Sequence, residues 1–92
     1  MHVIFESRHE PEVIGLLHRD AAVHDYLRLD GVCVSREVER QDRRAYRSDN
    51  RNSLISIICA DDIADRILHG VAALRGRLGC GVRAYAMPAD EA

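Results

Sequence analysis

Apolar and polar residues alternate along the first half of the chain in a way that predicts a strand, a helix and a second strand. The short apolar run from Val3 to Phe5 predicts the first strand. From Pro11 to about Leu27, apolar residues recur at spacings of three and four, which predicts a helix with a break near Ala21. The turn residues Asp30 and Gly31 then lead into a β-rich stretch, 32–38, the predicted second strand.

The second half repeats this order with stronger patterns. Leu54 to Cys59 is apolar except for Ser56, which predicts a strand buried on both faces. Asp61 or Asp62 is expected to cap the following helix. That helix has one apolar stripe, made of Ile63, Ile67, Leu68, Val71, Ala72 and Leu74. Glycines 76, 79 and 81 are expected to end it in a turn, and 82–87 predicts a last strand that Pro88 stops.

The resulting order, strand, helix, strand, strand, helix, strand, predicts the α+β, ferredoxin-like βαββαβ fold. Its antiparallel sheet would carry both helices on one face, in a single domain over residues 1–92. Between strands two and three, the segment from Arg36 to Arg51 contains six arginines and four acidic residues. It is too polar to bury, so we predict a flexible loop over about 36–53, with a solvated loop of no specific role as the alternative.

Composition and charge exclude several functions. The net charge is -2 and the sequence pI is about 6.2, so no global positive field would attract nucleic acid or an anionic membrane. Apolar runs are far shorter than the roughly 20 residues that cross a bilayer, so no membrane insertion is expected. The three cysteines at 33, 59 and 80 are odd in number and widely spaced, which favours free thiols in the cytoplasm.

The side chains that carry catalysis do not form a recognisable set. All thirteen basic residues are arginine, so Schiff-base chemistry and the Walker lysine are excluded. The sequence shows no arrangement of serine, histidine and aspartate and no catalytic pair of carboxylates. We therefore expect that the protein is not an enzyme.

Histidines give no metal-binding pattern on one helix. They occur at positions 2, 9, 18, 24 and 69. His18 and His24 are six residues apart and would point in different directions on a continuous helix. A metal site is therefore not predicted within one chain, and a site formed across subunits is the alternative.

Two motifs in the second half resemble the PII nitrogen-regulatory proteins. Residues 55–63 read ISIICADDI, similar to the β-rich run and helix start of that family, and residues 76–81 read GRLGCG, similar to its glycine turn. Residues 31–35 resemble the second PII strand, and Arg40 with Gln41 resembles the Arg-Gln at the base of the long PII T-loop. The chain thus resembles the divergent PII-like signalling proteins, including the type associated with carboxysomes and bicarbonate uptake.

The resemblance implies a regulatory protein for signal transduction that acts as a homotrimer. Nucleotide-binding clefts would lie between subunits, with no covalent cofactor, and an adenine nucleotide (AMP, ADP or ATP), with bicarbonate as a further ligand, would order the T-loop-like segment and control a protein partner. The resemblance assigns the phosphates to Arg40, Gln41, Arg77, Gly79 and Gly81, with Arg83 as an additional residue and Cys33 and Cys59 near the base pocket. Val82 replaces the second lysine of the family's turn, so AMP or ADP is as suitable as ATP.

Four alternatives remain at this stage. The protein could respond to metal or redox state through its histidines or Cys80, or serve as a protein-binding scaffold without a small ligand. The glycines could form only a helix cap and a turn. Cys33 and Cys59 could be plain core residues of their strands.

Overall fold

The computed structural model describes the backbone of residues 1–40, 43–79 and 81–90, and the side chains of those residues outside 35–50. The elements are β1 (His2–Glu6), a 3₁₀ turn (Ser7–His9), α1 (Glu10–Gly15) with its π-helical continuation (Leu16–Asp20), β2 (Leu27–Arg40), β3 (Arg43–Ser56), α2 (Asp61–Leu78) and β4 (Val82–Tyr85). Over these described ranges, no helix combines the length and the hydropathy that a bilayer span requires.

The four strands form one sheet in the order β2-β3-β1-β4, and every neighbouring pair is antiparallel. In the centre, β1 pairs His2–Glu6 with Asn52–Ser56 of β3 on one side and with β4 on the other. Strands that follow one another through a helix are therefore separated in the sheet by one antiparallel strand. This is the split βαβ order, and it confirms the predicted ferredoxin-like fold.

Both helices pack on the same face of the sheet. The buried side chains of this face alternate along the strands, and they join buried residues of both helices in one cluster: Val3, Phe5, Ile55, Ile57 and Val82 from the strands, Val13, Leu16 and Leu17 from the first helical segment, and Ile67, Val71 and Leu74 from α2. Full burial of each large side chain contributes about 1.5–3 kcal/mol. The prediction that β3 is buried on both faces was wrong, because Leu54 is only half-buried and Ile58, just beyond the strand, is 86% exposed.

The first helical segment ends much earlier than the predicted Leu27. The Ala21 N–H donates to the Leu16 carbonyl at 3.1 Å, and the Val23 N–H donates to the Leu17 carbonyl at 2.8 Å. These wide turns replace the α-helical bonds, and Ala22 follows with a φ of 54°. The chain therefore reverses near the predicted break at Ala21, and β2 starts at Leu27 instead of Val32.

The start of α2 corrects a second expectation. The N-cap residue is Ala60, and no side chain caps the helix. Asp61 and Asp62 lie in the first turn instead, where their negative charge favours the helix dipole. Farther along, Gly70 lies so close to Leu16 of the π-helical turn that a Cβ atom on Gly70 would be 3.2 Å from the Leu16 Cγ.

The predicted loop between strands two and three is a two-stranded ribbon. Since β1 pairs with β3 only as far as Asn52, β2 and β3 pair with each other alone beyond Val32 and Asn52. Backbone pairing continues from Val34 opposite Asp49 to Arg40 opposite Arg43. The register shifts on both sides of Val32, so the ribbon begins at an irregularity of the kind that bends and twists a strand pair.

The face of the sheet opposite the helices is uncovered and largely apolar. Cross-strand pairing places Tyr85, His2, Ser56 and Leu27 in one row, and Arg83, Ile4, Leu54 and Leu29 in the next. Leu27 is 62% exposed, Leu29 52% and Tyr85 46%. Exposed side chains of this size in one patch are typical of a surface that another molecule covers.

Candidate functional site

The glycine turn and the base of the ribbon meet at one end of the sheet. Glu6, the last residue of β1, is paired with Asn52, and Asn52 is paired with Val32 at the base of the ribbon. On its other side, the Glu6 N–H donates to the Gly81 carbonyl at 2.8 Å. Glu6 therefore connects the glycine turn, which the resemblance assigns to phosphate binding, with the point where the ribbon leaves the sheet. We call this group, Glu6, Arg8, His9, Asn52 and Gly81, the ribbon-base site.

Gly81 is required here for two reasons. Its φ is 85°, in the left-handed region that residues with a Cβ atom adopt only at a cost. A Cβ atom on Gly81 would also lie 3.1 Å from the Glu6 Cδ and 3.2 Å from the His9 Cδ2. The glycine thus allows β4 to begin in direct contact with the turn that follows β1.

The charges at the ribbon-base site are mixed. The Arg8 Nε donates to the Glu6 carboxylate at 2.6 Å, and the His9 Nε2 lies 3.8 Å from the same oxygen. The His9 Nε2 is buried and has no hydrogen-bond partner within the described part of the chain. A carboxylate therefore lies against the glycine turn, and only one arginine compensates it directly. An anionic ligand at this turn needs a further cation.

Arg77 is a candidate for such a cation. It lies in the last turn of α2, just before Gly79, and its side chain is exposed. Among the residues that the structure describes, Arg77 forms no ion pair or side-chain hydrogen bond. Its guanidinium is thus free to accept an anion that approaches the glycine turn.

A polar network holds the strand before the ribbon against the start of α1. Arg28 binds the carboxylate of Glu10 and donates from Nε to Asp30 Oδ1 at 2.9 Å. The hydroxyl of the fully buried Ser53 donates to the same Asp30 oxygen at 2.8 Å and lies 3.0 Å from the Ser7 hydroxyl. The hydrogen bond from Arg28 lowers the pKa of Glu10, and hydrogen bonds from Arg28 and then Ser53 lower the pKa of Asp30.

Arg40, a predicted phosphate ligand, does not lie at this end of the sheet in the same chain. Arg40 pairs with Arg43 at the far end of the ribbon. At about 3.3 Å per residue, it lies roughly 25 Å from Val32 along the strand. Arg40 therefore lies far from the glycine turn of its own chain, and its assignment to a cleft between subunits stays a prediction. Gln41 lies outside the described residues.

The structure brings together Arg77, Gly79 and Gly81 but separates the two described cysteines. Cys33 follows Val32 at the base of the ribbon and is exposed, so the expectation of a core residue was wrong there. Cys59 is partly buried against the core at the other end of the sheet, where the preceding Ile57 bonds to Met1. The two cysteines cannot line one pocket within a chain.

Arg83 and Cys80 are the two remaining residues that the sequence analysis nominated. Arg83 is paired with Ile4 in the row on the uncovered face, and its side chain is exposed. Cys80 lies outside the described residues. Arg83 is therefore not part of the ribbon-base site of its own chain.

Sequence reasoning missed a cluster of three rings after α1. The His18 Nε2 lies 3.2 Å from the Tyr26 hydroxyl, and the ring centroids of His18 and His24 are 4.9 Å apart. The expectation that these histidines point in different directions was wrong, because the helix ends at Asp20 and the chain reverses at Ala22. Within the described ranges, no three His, Cys, Asp or Glu residues converge on a metal position.

No protein-family model, curated protein or solved structure matches this chain. The functional proposal therefore depends on the fold, the geometry of the ribbon-base site and the motifs of the sequence.

Proposed function

We propose that the protein is a PII-like regulator of signal transduction in which a small anionic effector at the glycine turn controls the position of the ribbon. The observation that supports this most directly is the row Val32, Asn52, Glu6 and Gly81, which joins the ribbon to the turn through adjacent strands. A ligand that binds one arrangement of this junction better than another shifts the ribbon toward that arrangement. The ribbon then presents a different surface to a protein partner.

The chemistry of the turn favours an adenine nucleotide with few phosphates. Arg77 and the backbone of the glycine turn offer positive charge and N–H groups to a phosphate. The carboxylate of Glu6 repels additional negative charge at the same place, and Arg8 neutralises it only in part. AMP and ADP therefore suit the site better than ATP, and bicarbonate, a small monoanion, suits it as a second ligand.

The uncovered sheet face supports assembly into a homotrimer. Leu27, Leu29 and Tyr85 are exposed in adjacent rows of this face, around half-buried Ile4 and Leu54. A chain of this length buries only a modest share of its surface alone, so covering this patch with other copies would stabilise it. We expect Leu29→Glu to reduce the mass in solution to that of the monomer. Ala73→Glu, at an exposed position of α2, is the control and should leave the trimer intact.

Effector binding is tested by isothermal titration of the purified protein with AMP, ADP and ATP, with and without bicarbonate. Arg77→Ala should weaken nucleotide binding at least tenfold, whereas Arg66→Ala, an exposed arginine in the middle of the same helix, should leave it unchanged. Equal affinities of the wild type and Arg77→Ala would contradict the assigned site. The absence of binding by all these ligands would leave the protein-binding scaffold as the function.

Arg40→Ala tests whether the ribbon of a neighbouring subunit contributes to the nucleotide site. Because Arg40 lies at the far end of the ribbon, the substitution should change nucleotide affinity less than twofold if the site is built as described here. A tenfold loss would instead mean that the ribbon of a neighbouring subunit reaches the glycine turn.

A further inference from the structure

We propose that His18 and His24 together bind one divalent transition-metal ion, with Cu²⁺ preferred over Ni²⁺ and Zn²⁺. The site lies at the end of α1, and the Tyr26 hydroxyl supports it through its contact with His18. The inference does not depend on the proposed nucleotide function, because none of its residues belongs to the ribbon-base site.

The separation of the two rings fits one shared ion. Imidazole nitrogens bind these metals at about 2.0–2.1 Å, so two rings on one ion with a ligand angle between about 90° and 109° have centroids roughly 4.5–5.2 Å apart. The observed centroid distance is 4.9 Å, with the ring planes tilted by 40°. The distance between the two ring centroids is therefore within the range of two imidazoles that share one ion.

The contact with Tyr26 orients His18, the less exposed of the two histidines. His18 is half-buried, and its Nε2 lies 3.2 Å from the Tyr26 hydroxyl. When the Nε2–H donates to that hydroxyl oxygen, the lone pair lies on Nδ1 and is free to bind metal. Histidine ligands in metal sites commonly donate their second N–H in this way, which fixes both the tautomer and the direction of the ring.

The backbone keeps the two histidines together before any ion binds. Leu16, Leu17 and Ala21 are buried in the core, and the π-helical turn between them carries His18. Ala22 holds the left-handed φ of 54°, which is unfavourable for a residue with a Cβ atom and which turns the chain back toward His18. Single π turns in helices are frequent at functional sites. His24 itself is exposed, so an ion can reach it from solvent.

The number of donors sets the class of metal. With two imidazoles and no third His, Cys, Asp or Glu converging on them in the described ranges, water completes the coordination. Imidazole suits Cu²⁺, Ni²⁺ and Zn²⁺, and Cu²⁺ binds most tightly in the general order of divalent metals. A bound ion links the end of α1 to the segment before β2, so it stabilises the folded state and raises the melting temperature by mass action.

The test uses full-length protein carrying Cys33→Ser and Cys80→Ser, so that these two thiols do not bind the metal. CuCl₂, NiCl₂ and ZnCl₂ are titrated into protein freed of metal with EDTA, by calorimetry and by melting temperature. We expect saturable binding of one Cu²⁺ per chain and an electron paramagnetic resonance spectrum with two nitrogen ligands. His24→Gln should weaken binding at least tenfold, since even second-shell changes cost about 10–100-fold.

His69→Gln is the matched control. His69 is exposed on α2, where its Nδ1 contacts only the Asp65 carbonyl, and its loss should change metal affinity less than twofold. Unchanged affinity in His24→Gln, or no saturable binding to the parent protein, would overturn the proposal. His18→Gln should weaken metal binding as His24→Gln does. If His18→Gln fails to fold, the metal affinity of His24→Gln decides the result, because His24 is exposed. Nucleotide titrations in EDTA test the other proposal separately.

Discussion

Two glycines of α2 give a sharp test of how the helices pack. A Cβ atom on Gly70 would lie 3.2 Å from the Leu16 Cγ and 3.4 Å from its Cδ2, and closer still to its Cδ1. At Gly76, in the same helix, a Cβ atom would meet nothing within 4 Å. Alanine at either position gives the helix the same gain in propensity, but only Gly70→Ala must displace a buried side chain.

The magnitudes follow from these distances. Replacing a helical glycine with alanine stabilises by about 0.5–1 kcal/mol, and Gly76→Ala should show this gain in full. Overpacking costs about 1–3 kcal/mol, so we expect Gly70→Ala to destabilise by up to about 2 kcal/mol. In a domain of this size, 1 kcal/mol corresponds to about 4–8 °C in melting temperature. The two variants should therefore differ by several degrees, in opposite directions from the wild type.

Urea unfolding at one fixed protein concentration measures both changes, since assembly makes stability depend on concentration. A double-mutant cycle identifies the cause: in a Leu16→Ala background the obstacle is gone, so Gly70→Ala should become neutral or stabilising. If Gly70→Ala is as stable as Gly76→Ala in the wild-type background, α2 does not cross the π-helical turn at Leu16, and the packing of the helices is different.

Three further changes test the ends of the sheet. Both carboxylates bound by Arg28 have a lowered pKa, so their contribution to stability is present above the ordinary values of 4.5 for Glu10 and 3.8 for Asp30 and is lost as the pH falls below them. Arg28→Gln should therefore unfold more easily at pH 7 but lose less stability than the wild type between pH 6 and pH 3. Parallel pH profiles of the two proteins would contradict this. Gly81→Ala should destabilise by about 1–3 kcal/mol in thermal unfolding, because the left-handed φ and the contact with Glu6 both oppose it, and an unchanged melting temperature would refute that turn. Ala22→Gly should stabilise by up to about 1 kcal/mol by relieving the left-handed strain, whereas a clear loss in urea midpoint would show that Ala22 is not strained.

The fold was predictable because burial on one face leaves a periodic pattern in the sequence. The apolar stripe of α2 predicted its buried face, and Ile67, Val71 and Leu74 are all buried. The strand order followed from the order of elements and the known topology of split βαβ units. The pattern could not show that one face of the sheet is uncovered. Leu54 and Ile58 are apolar but are not buried within the chain, so the sequence predicted a third strand buried on both faces.

The ribbon was not predictable by the same reasoning. A two-stranded ribbon beyond the edge of a sheet has no core to cover, so its pairing requires no alternation of apolar residues. The segment from Arg36 to Arg51 was therefore indistinguishable from a polar loop. This also affects Arg40, because in an extended hairpin Arg40 lies far from the point where the ribbon leaves the sheet.

The histidine cluster shows how a single helix end decides whether two residues can form a site. On a continuous helix, His18 and His24 would be about 240° apart around the axis. The π-helical turn and Ala22 reverse the chain within a few residues, and the rings come into contact. The pair also lies beside the start of β2, since Tyr26 precedes Leu27, whereas the ribbon-base site lies where β2 leaves the sheet at Val32.

The two proposed sites therefore act on the two ends of the same stretch of β2, and this makes their interaction measurable. If metal binding shifts this stretch, it must change nucleotide affinity by some factor, and nucleotide must change metal affinity by the same factor. Titrating each ligand in the presence and absence of the other measures both factors. Equal factors different from one would mean that residues 27–32 transmit the signal, and factors of one would mean that the contacts of Ser53 and Arg28 hold this stretch rigid.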